Sequence, residues 1–226
     1  MKMSILALDS STEACSVALL TGQEVVEKFE VIGRGHAEQL LPMINALLEE
    51  NDASLDDIDL FAYGSGPGSF TGLRIGAAMM QGLALARERK LIAVSSLAAL
   101  ASRQQGIVLS VIDARMDQVY HGLYRIQKDA PPELTGEISV SFPDEINLPD
   151  RGNIILTGTG LDRYKDKFML MNTADRGITG INDEYPHAAD IARLALYESV
   201  QGRETDPADA LPHYVRDKVA KTVAER

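Results

Sequence analysis

The sequence predicts an α/β protein of two related lobes. Apolar runs of strand length alternate with amphipathic runs of helical spacing along the 226 residues. The order strand, Asp, polar turn, strand occurs twice, as SILALDSSTEACSVALL and again as IVLSVIDARMDQVYHGLYRI. Between the two copies, the glycine-rich stretch Tyr63–Ala86 carries a strand directly into a helix.

The first thirty residues read as a meander. Ser4–Asp9 and Cys15–Leu20 are apolar strands joined by the turn Ser10-Ser11-Thr12-Glu13, and a turn at Thr21-Gly22-Gln23 leads into EVVEKFEVI. In HAEQLLPMINALLEEN, Ala37, Leu40, Leu41, Ile44, Leu47 and Leu48 follow helical spacing, and Pro42 either kinks that helix or moves its start later. IDLFAYG is a buried strand, and LIAVSSLAALASRQ is a strand running into a helix. At Ile107 the pattern restarts, with Asp113 opposite Asp9 and Val119–Tyr124 opposite Ser16–Leu20. This places an N-terminal lobe at 1–105 and a C-terminal lobe at 106–226, with the tail free to return to the first lobe. Residues 129–152, rich in Pro, Asp and Glu, read as surface loops. NIILTGTG is a strand entering a glycine turn, and HAADIARLALYESVQG is an amphipathic helix that Gly202 ends. The closing DALPHYVRDKVAKTVAER has mixed charge and reads as partly mobile.

Composition narrows the function classes. Apolar residues make up 45% and charged residues 24%, the balance of a globular chain, with no run of 18 apolar residues to span a membrane. One cysteine, Cys15, cannot form an internal disulfide, so a reducing cytoplasm is the default expectation. A net charge of −11 repels phosphate backbone, and the largest basic cluster is Arg87-Glu88-Arg89-Lys90. Contact with a nucleic acid is therefore expected only indirectly, through a complex.

Four features are candidates for binding or chemistry. A strand ending in Asp9 and followed by Ser10, Ser11 and Thr12 suits phosphate, or a metal that holds phosphate, and suits better an Asx or Ser turn closing a hairpin. Gly64, Gly66 and Gly68 lack the Lys and spacing of a Walker loop and do not match G-x-G-x-x-G. They offer N–H groups at a helix N-terminus, or merely a strand-to-helix turn that needs positive φ and close packing. The helix after them has almost no wet side. From Leu73 to Ala86 its only long polar side chains, Arg74 and Gln81, share one stripe. Leu73, Ala77, Met80 and Ala84 make one apolar face, while Ile75, Met79, Gly82 and Ala86 make another. One covers the sheet, and the other lies under the Ala37–Leu48 helix or against a second protein. Arg115, at the tip of the second Asp turn, is a candidate for an anion or partner contact. The histidines, His36, His121, His187 and His213, are scattered, and there is no H-x-x-x-H pair or G-x-S-x-G elbow.

ILALDSSTEACSVAL, GHAEQLLPMI with GSGPGSFTGLRIG, and LPHYVRDKVA together resemble the bacterial TsaB (YeaZ) family over nearly the whole chain. The resemblance implies the actin, sugar-kinase and Hsp70-like (ASKHA) fold, with duplicated ribonuclease H-like lobes. It implies a part in making N6-threonylcarbamoyladenosine (t6A) at tRNA position 37, without chemistry of its own, as scaffold and activator of a TsaD-type catalytic subunit joined by a TsaE-type ATPase. Catalytic relatives carry H-x-x-x-H metal ligands after the strand that follows the glycine-rich helix. Ser96 and Leu100 stand at those places, so no metal and no catalytic residue is expected. No tightly bound cofactor is expected either, and ATP or ADP would belong at the subunit junction of the complex. Family members pair through helices matching Ala37–Glu49 and Gly72–Arg87, with a homodimer when the partner is missing. Leu40, Leu41, Ile44, Leu47, Leu48, Leu73, Gly76, Ala77, Met80 and Ala84 are the interface residues expected on this basis. A large residue at Gly76, or Glu at Ala77, is expected to weaken pairing and leave the monomer foldable. An independent actin-like kinase or ATPase using Asp9 and the Asp113 turn is the alternative.

Overall fold

The structure, a computed structural model, describes residues 2–215. β1 (Ser4–Asp9), β2 (Ala14–Thr21) and β3 (Glu24–Val31) form an antiparallel meander. β4 (Leu60–Gly66) and β5 (Lys90–Ser95) add in parallel beside β1, giving the order β3-β2-β1-β4-β5. The second half repeats this. β6 (Gly106–Arg115), β7 (Gln118–Ile126) and β8 (Glu133–Ser141) form the meander, and β9 (Gly152–Gly158) and β10 (Arg176–Asp183) add in parallel. Its order, β10-β9-β6-β7-β8, is the same topology. Asp9 pairs with Ser16 and Asp113 with Val119, so the two Asp turns occupy equivalent places.

Among the described residues, five α-helices accompany the sheets: α1 (His36–Glu50), α2 (Phe70–Ala86), α3 (Ser96–Ser102), α4 (Leu161–Leu170) and α5 (Ala188–Val200). Pro42 lies inside α1 on its exposed side, and the helix runs on through it with the apolar face of Leu40, Met43, Ile44, Leu47 and Leu48 buried. The Ser69 hydroxyl caps α2 by accepting from the Gly72 N–H. α5 ends at Gly202 (φ 68°), with the Gly202 N–H donating to Ser199 O and the Arg203 N–H to Glu198 O.

α1 and α2 cover one face of the first sheet around Leu8, Val17, Phe61 and Tyr63. α5, from the second half of the chain, covers the other face around Ile5, Ala18, Leu20 and Ala62. In exchange, Leu97, Leu100 and Ala101 of α3 pack on the second sheet against Val108, Ile112, Tyr124 and Ile126. α4 covers that sheet's outer face through Leu161, Tyr164 and Phe168. The packing order is therefore α1/α2, first sheet, α5/α3, second sheet, α4. After α5 the chain crosses back to the first lobe. Thr205 pairs with Leu91 through two backbone hydrogen bonds, of 3.0 and 2.8 Å. Of the stretch 209–226, expected to be a partly mobile tail of mixed charge, residues 209–215 are hydrogen-bonded to the first lobe through Gln81, Tyr63 and Ser65, and residues 216–226 lie outside the described residues.

The segment 129–152, expected as surface loops, holds β8 and a 3-10 turn at Pro143–Glu145. β8 is an edge strand whose first five residues are all exposed, so it shows little of the apolar alternation that marks a half-buried strand.

Candidate functional site: the interlobe turns and the exposed helix pair

Asp9 is buried at the end of β1. Its Oδ1 accepts from the Ser11 N–H at 2.9 Å and the Ser11 hydroxyl at 2.7 Å, and its Oδ2 accepts from the Ser96 hydroxyl at 2.8 Å. Burial pushes the Asp9 carboxyl above the ordinary carboxylate range, and the hydrogen bonds from Ser11 and Ser96 hold it back. Ser10 donates its hydroxyl to Gly72 O at 2.9 Å, and Ser11 O accepts from the Ser69 N–H at 2.7 Å. The turn is thus both an Asx turn and a platform for α2.

The glycines serve this contact. A Cβ at Gly64 would strike the Asp9 carboxylate, one at Gly68 would strike Ser11 O, and one at Gly72 would strike Ser10 O. At Gly76 it would meet Leu8 Cδ1 at 2.9 Å. Spaced four apart, these glycines let the β4–α2 loop and the first half of α2 lie directly on the turn.

Ser11 and Thr12 border a cleft of about 450 Å³ between the lobes. The 67–71 loop lines it from the first lobe, Ile112–Met116 and Thr159 from the second, and His213–Val215 from the returning chain. Asp9 and Ser10 face inward, away from it. His36 closes one corner, its Nε2–H donating to Thr12 O at 2.8 Å. Arg115 spans the mouth, pairing through Nη2 with Glu13 and through Nη1 with Asp113 at 3.3 Å. The Arg115–Met116–Asp117 tip has three successive positive φ values, of 61°, 57° and 59°. Asp113 also accepts from the Tyr164 hydroxyl at 3.1 Å.

Ser96 and Leu100 do not fit a metal. The Ser96 hydroxyl is committed to Asp9, and Leu100 is buried in the apolar cluster on the second sheet. Among the described residues, no three His, Cys, Asp or Glu side chains gather at one point.

The interface expectation requires correction. Of its ten residues, Leu40, Ile44, Leu47, Leu48, Leu73, Gly76, Ala77, Met80 and Ala84 are buried within the chain itself, and only Leu41 is exposed. Leu73, Ala77, Met80 and Ala84 form the inward face of α2. Gly76 has no room for a larger residue, and Glu at Ala77 would be buried in the core. Both substitutions attack the monomer, contrary to expectation.

The outer surface is formed by other residues. On α1 it consists of Ala37, Leu41 and the polar Asn45; on α2 it consists of Ala78, Gly82 and Leu85, with Ile75 and Met79 half-buried at its side. Leu85 is 69% exposed and Leu41 44%, and a Cβ at Gly82 would meet nothing. The spacing of Gly68, Gly72 and Gly76 was the available signal: it marks the side that touches another backbone, hence the inner side.

The family model of TsaD, tRNA N6-adenosine threonylcarbamoyltransferase, matches residues 28–221. The Escherichia coli tRNA threonylcarbamoyladenosine biosynthesis protein TsaB is 37% identical, over 96% of this chain and 96% of its own. The Haemophilus influenzae protein of the same name is 34% identical, over 96% and 95%. The chain belongs to the TsaB (YeaZ) family. The solved structure of YeaZ from Pseudomonas aeruginosa superposes with a TM-score of 0.85 at 40% identity, covering 94% of this chain and 99% of that one. A second, described as an uncharacterized protein with similarity to the peptidase YEAZ from Pseudomonas aeruginosa, gives 0.86 at 39%, covering 95% and 100%. The two sheets of identical topology are the duplicated lobes of the ASKHA fold that TsaB proteins share.

Proposed function

We propose that this chain is the non-catalytic subunit in formation of t6A at tRNA position 37, binding and activating a TsaD-type catalytic subunit. The observation that carries this reading is the uncovered apolar face of α1 and α2, centred on Leu41, Ala78, Gly82 and Leu85. Small side chains beside exposed leucines suit close packing of a second helix pair, and a stable pairing of this kind buries roughly 1,600 Å². The same face closes a homodimer when the partner is missing. A TsaE-type ATPase joins the pair, and tRNA is held by the complex, in the cytoplasm. The committed Ser96 hydroxyl and the buried Leu100 support a subunit without metal chemistry.

The test is reconstitution. This protein, the catalytic subunit, the ATPase, unmodified tRNA and threonylcarbamoyl-adenylate are combined, and each protein is omitted in turn. Modification is expected to collapse without this chain and when it carries Leu85→Asp. Full modification without it overturns the reading.

The cleft of about 450 Å³ supports a second reading, an ATP-binding enzyme of the actin-like class. No tight nucleotide is proposed for the isolated chain; ATP or ADP belongs at the subunit junction. Robust ATP turnover by the purified protein with Mg²⁺ would favour the enzyme over the scaffold.

A further inference from the structure

Residues 203–215 form a strap that crosses the first lobe from the edge of β5 to the mouth of the cleft. The strap is held mainly by its backbone, with Asp206 and Tyr214 adding side-chain anchors. Lys90 pairs with Asp206 at 2.6 Å beside the Thr205–Leu91 pairing. Gln81 Nε2 donates to Pro207 O at 2.9 Å and to Ala210 O at 2.8 Å. The Tyr63 hydroxyl donates to Leu211 O at 3.1 Å, and the His213 N–H donates to Ser65 O at 2.7 Å. Arg74 Nε donates to the Tyr214 hydroxyl at 2.9 Å.

Arg74 and Gln81, which share one stripe of α2, are both taken by the strap. Four residues on from each, one helical turn along, stand Ala78 and Leu85 of the outer face. The strap therefore borders that face on the side away from α1. Because carbonyls and N–H groups make most of its anchors, two of its large side chains are left outward. Leu211 is 72% exposed and Tyr214 44%, while Ala210 between the anchors is buried. Phe70, 39% exposed, stands 5.6 Å from the Tyr214 ring, and the Arg74 guanidinium lies 3.6 Å over Phe70. Tyr and Arg are the residue types that dominate the centres of protein interfaces.

We infer that the docking surface continues from α2 onto the strap, so that the catalytic subunit seats on Phe70, Leu211 and Tyr214 as well as on the helix pair. This rests on the α1–α2 docking proposed above. His213, Tyr214 and Val215 also line the cleft, so a partner seated on the strap fixes the cleft mouth at the same time.

The test uses the full chain and the purified catalytic subunit. Affinity is measured by calorimetry for Leu85→Asp, Leu211→Asp and Tyr214→Ser, with melting curves for each variant alone. Backbone hydrogen exchange of residues 205–215 is measured on the unaltered protein, free and bound. Each strap variant is expected to bind about tenfold more weakly or worse, equivalent to about 1.4 kcal/mol, and exchange in the strap is expected to slow on binding. If Leu85→Asp weakens binding while both strap variants bind normally and strap exchange is unchanged, the inference falls and the helix-pair reading stands. If Leu85→Asp binds normally, the helix-pair reading falls and the inference with it. The exchange measurement decides the matter even if a strap variant lowers the melting temperature.

Discussion

Ser96 gives its hydroxyl proton to Asp9 Oδ2 at 2.8 Å, tying the first residue of α3 to the last residue of β1. With Ser11 on the other oxygen, this satisfies a carboxylate buried away from solvent. Ser96→Ala would leave Oδ2 buried and unpaired, at a cost of about 1–3 kcal/mol. The loss has a pH signature. Burial raises the folded-state Asp9 value above the ordinary 3.8, so the folded form binds more protons and stability falls as pH rises through this window. Removing a hydrogen bond to the charged form raises the value further. The melting deficit of Ser96→Ala against the unaltered protein is therefore expected to be larger at pH 8 than near pH 4, and an equal deficit at both would contradict this account.

The glycine ladder makes a sharper prediction. Gly64→Ala places a methyl group on the Asp9 carboxylate, and Gly72→Ala places one on Ser10 O. Overpacking of this kind costs about 1–3 kcal/mol. Gly82→Ala meets open space and, being mid-helix, is expected to be neutral or to stabilise by up to about 1 kcal/mol. Urea unfolding of the three variants separates these outcomes.

The two faces of α2 predict opposite phenotypes. Met80→Ala removes a fully buried side chain from the core and is expected to cost about 2–5 kcal/mol. Leu85→Asp alters a surface position and is expected to leave the melting temperature nearly unchanged while abolishing pairing, read by size-exclusion chromatography with the catalytic subunit.

Glu27 joins the first lobe to α5. Its Oε2 accepts from His187 Nδ1–H at 2.8 Å, and its Oε1 accepts from the Ser16 hydroxyl at 2.6 Å and the Ala189 N–H at 3.0 Å. Burial raises its carboxyl, but the bonds from His187, Ser16 and the Ala189 N–H outweigh that and bring it below the ordinary 4.5. The stability it contributes is present above about that ordinary value and is lost as pH falls through the lower folded value. Glu27→Gln is expected to cost most at neutral pH and least near pH 3, measured by melting temperature across that range.

Cys15 is buried in β2, where burial pushes its thiol up to about 12. It is expected to resist a maleimide in the folded protein and to react at once in denaturant. Rapid labelling of the native protein would show that β2 opens.

The repeat was legible in the sequence because an apolar run of strand length leads into Asp9 in one half and into Asp113 in the other. β8 and β10 were not legible. Glu133, Glu137 and Gly136 in one, and Gly177 and Gly180 in the other, carry no apolar alternation, since each strand lies at the edge of its sheet. α2 shows the limit more plainly. Helical spacing identified two apolar faces correctly, yet periodicity alone cannot say which face meets the sheet. That is a tertiary fact, fixed here by Ser10 reaching the Gly72 carbonyl. A return of the tail to the first lobe was left open by the sequence, but the path of the strap was not legible, because it is held mainly by backbone groups and carries no pattern of its own.

The exchange of α3 and α5 between the sheets has a structural cost and a benefit. Each half of the repeat would, if separated, expose the sheet face that the other half's helix covers, Ile5, Ala18, Leu20 and Ala62 under α5 in the first and Val108, Ile112, Tyr124 and Ile126 under α3 in the second. Neither half therefore covers both faces of its own sheet. A chain severed near residue 105 is expected to yield fragments that recover shape only when mixed, and the intact protein is expected to melt as one cooperative unit.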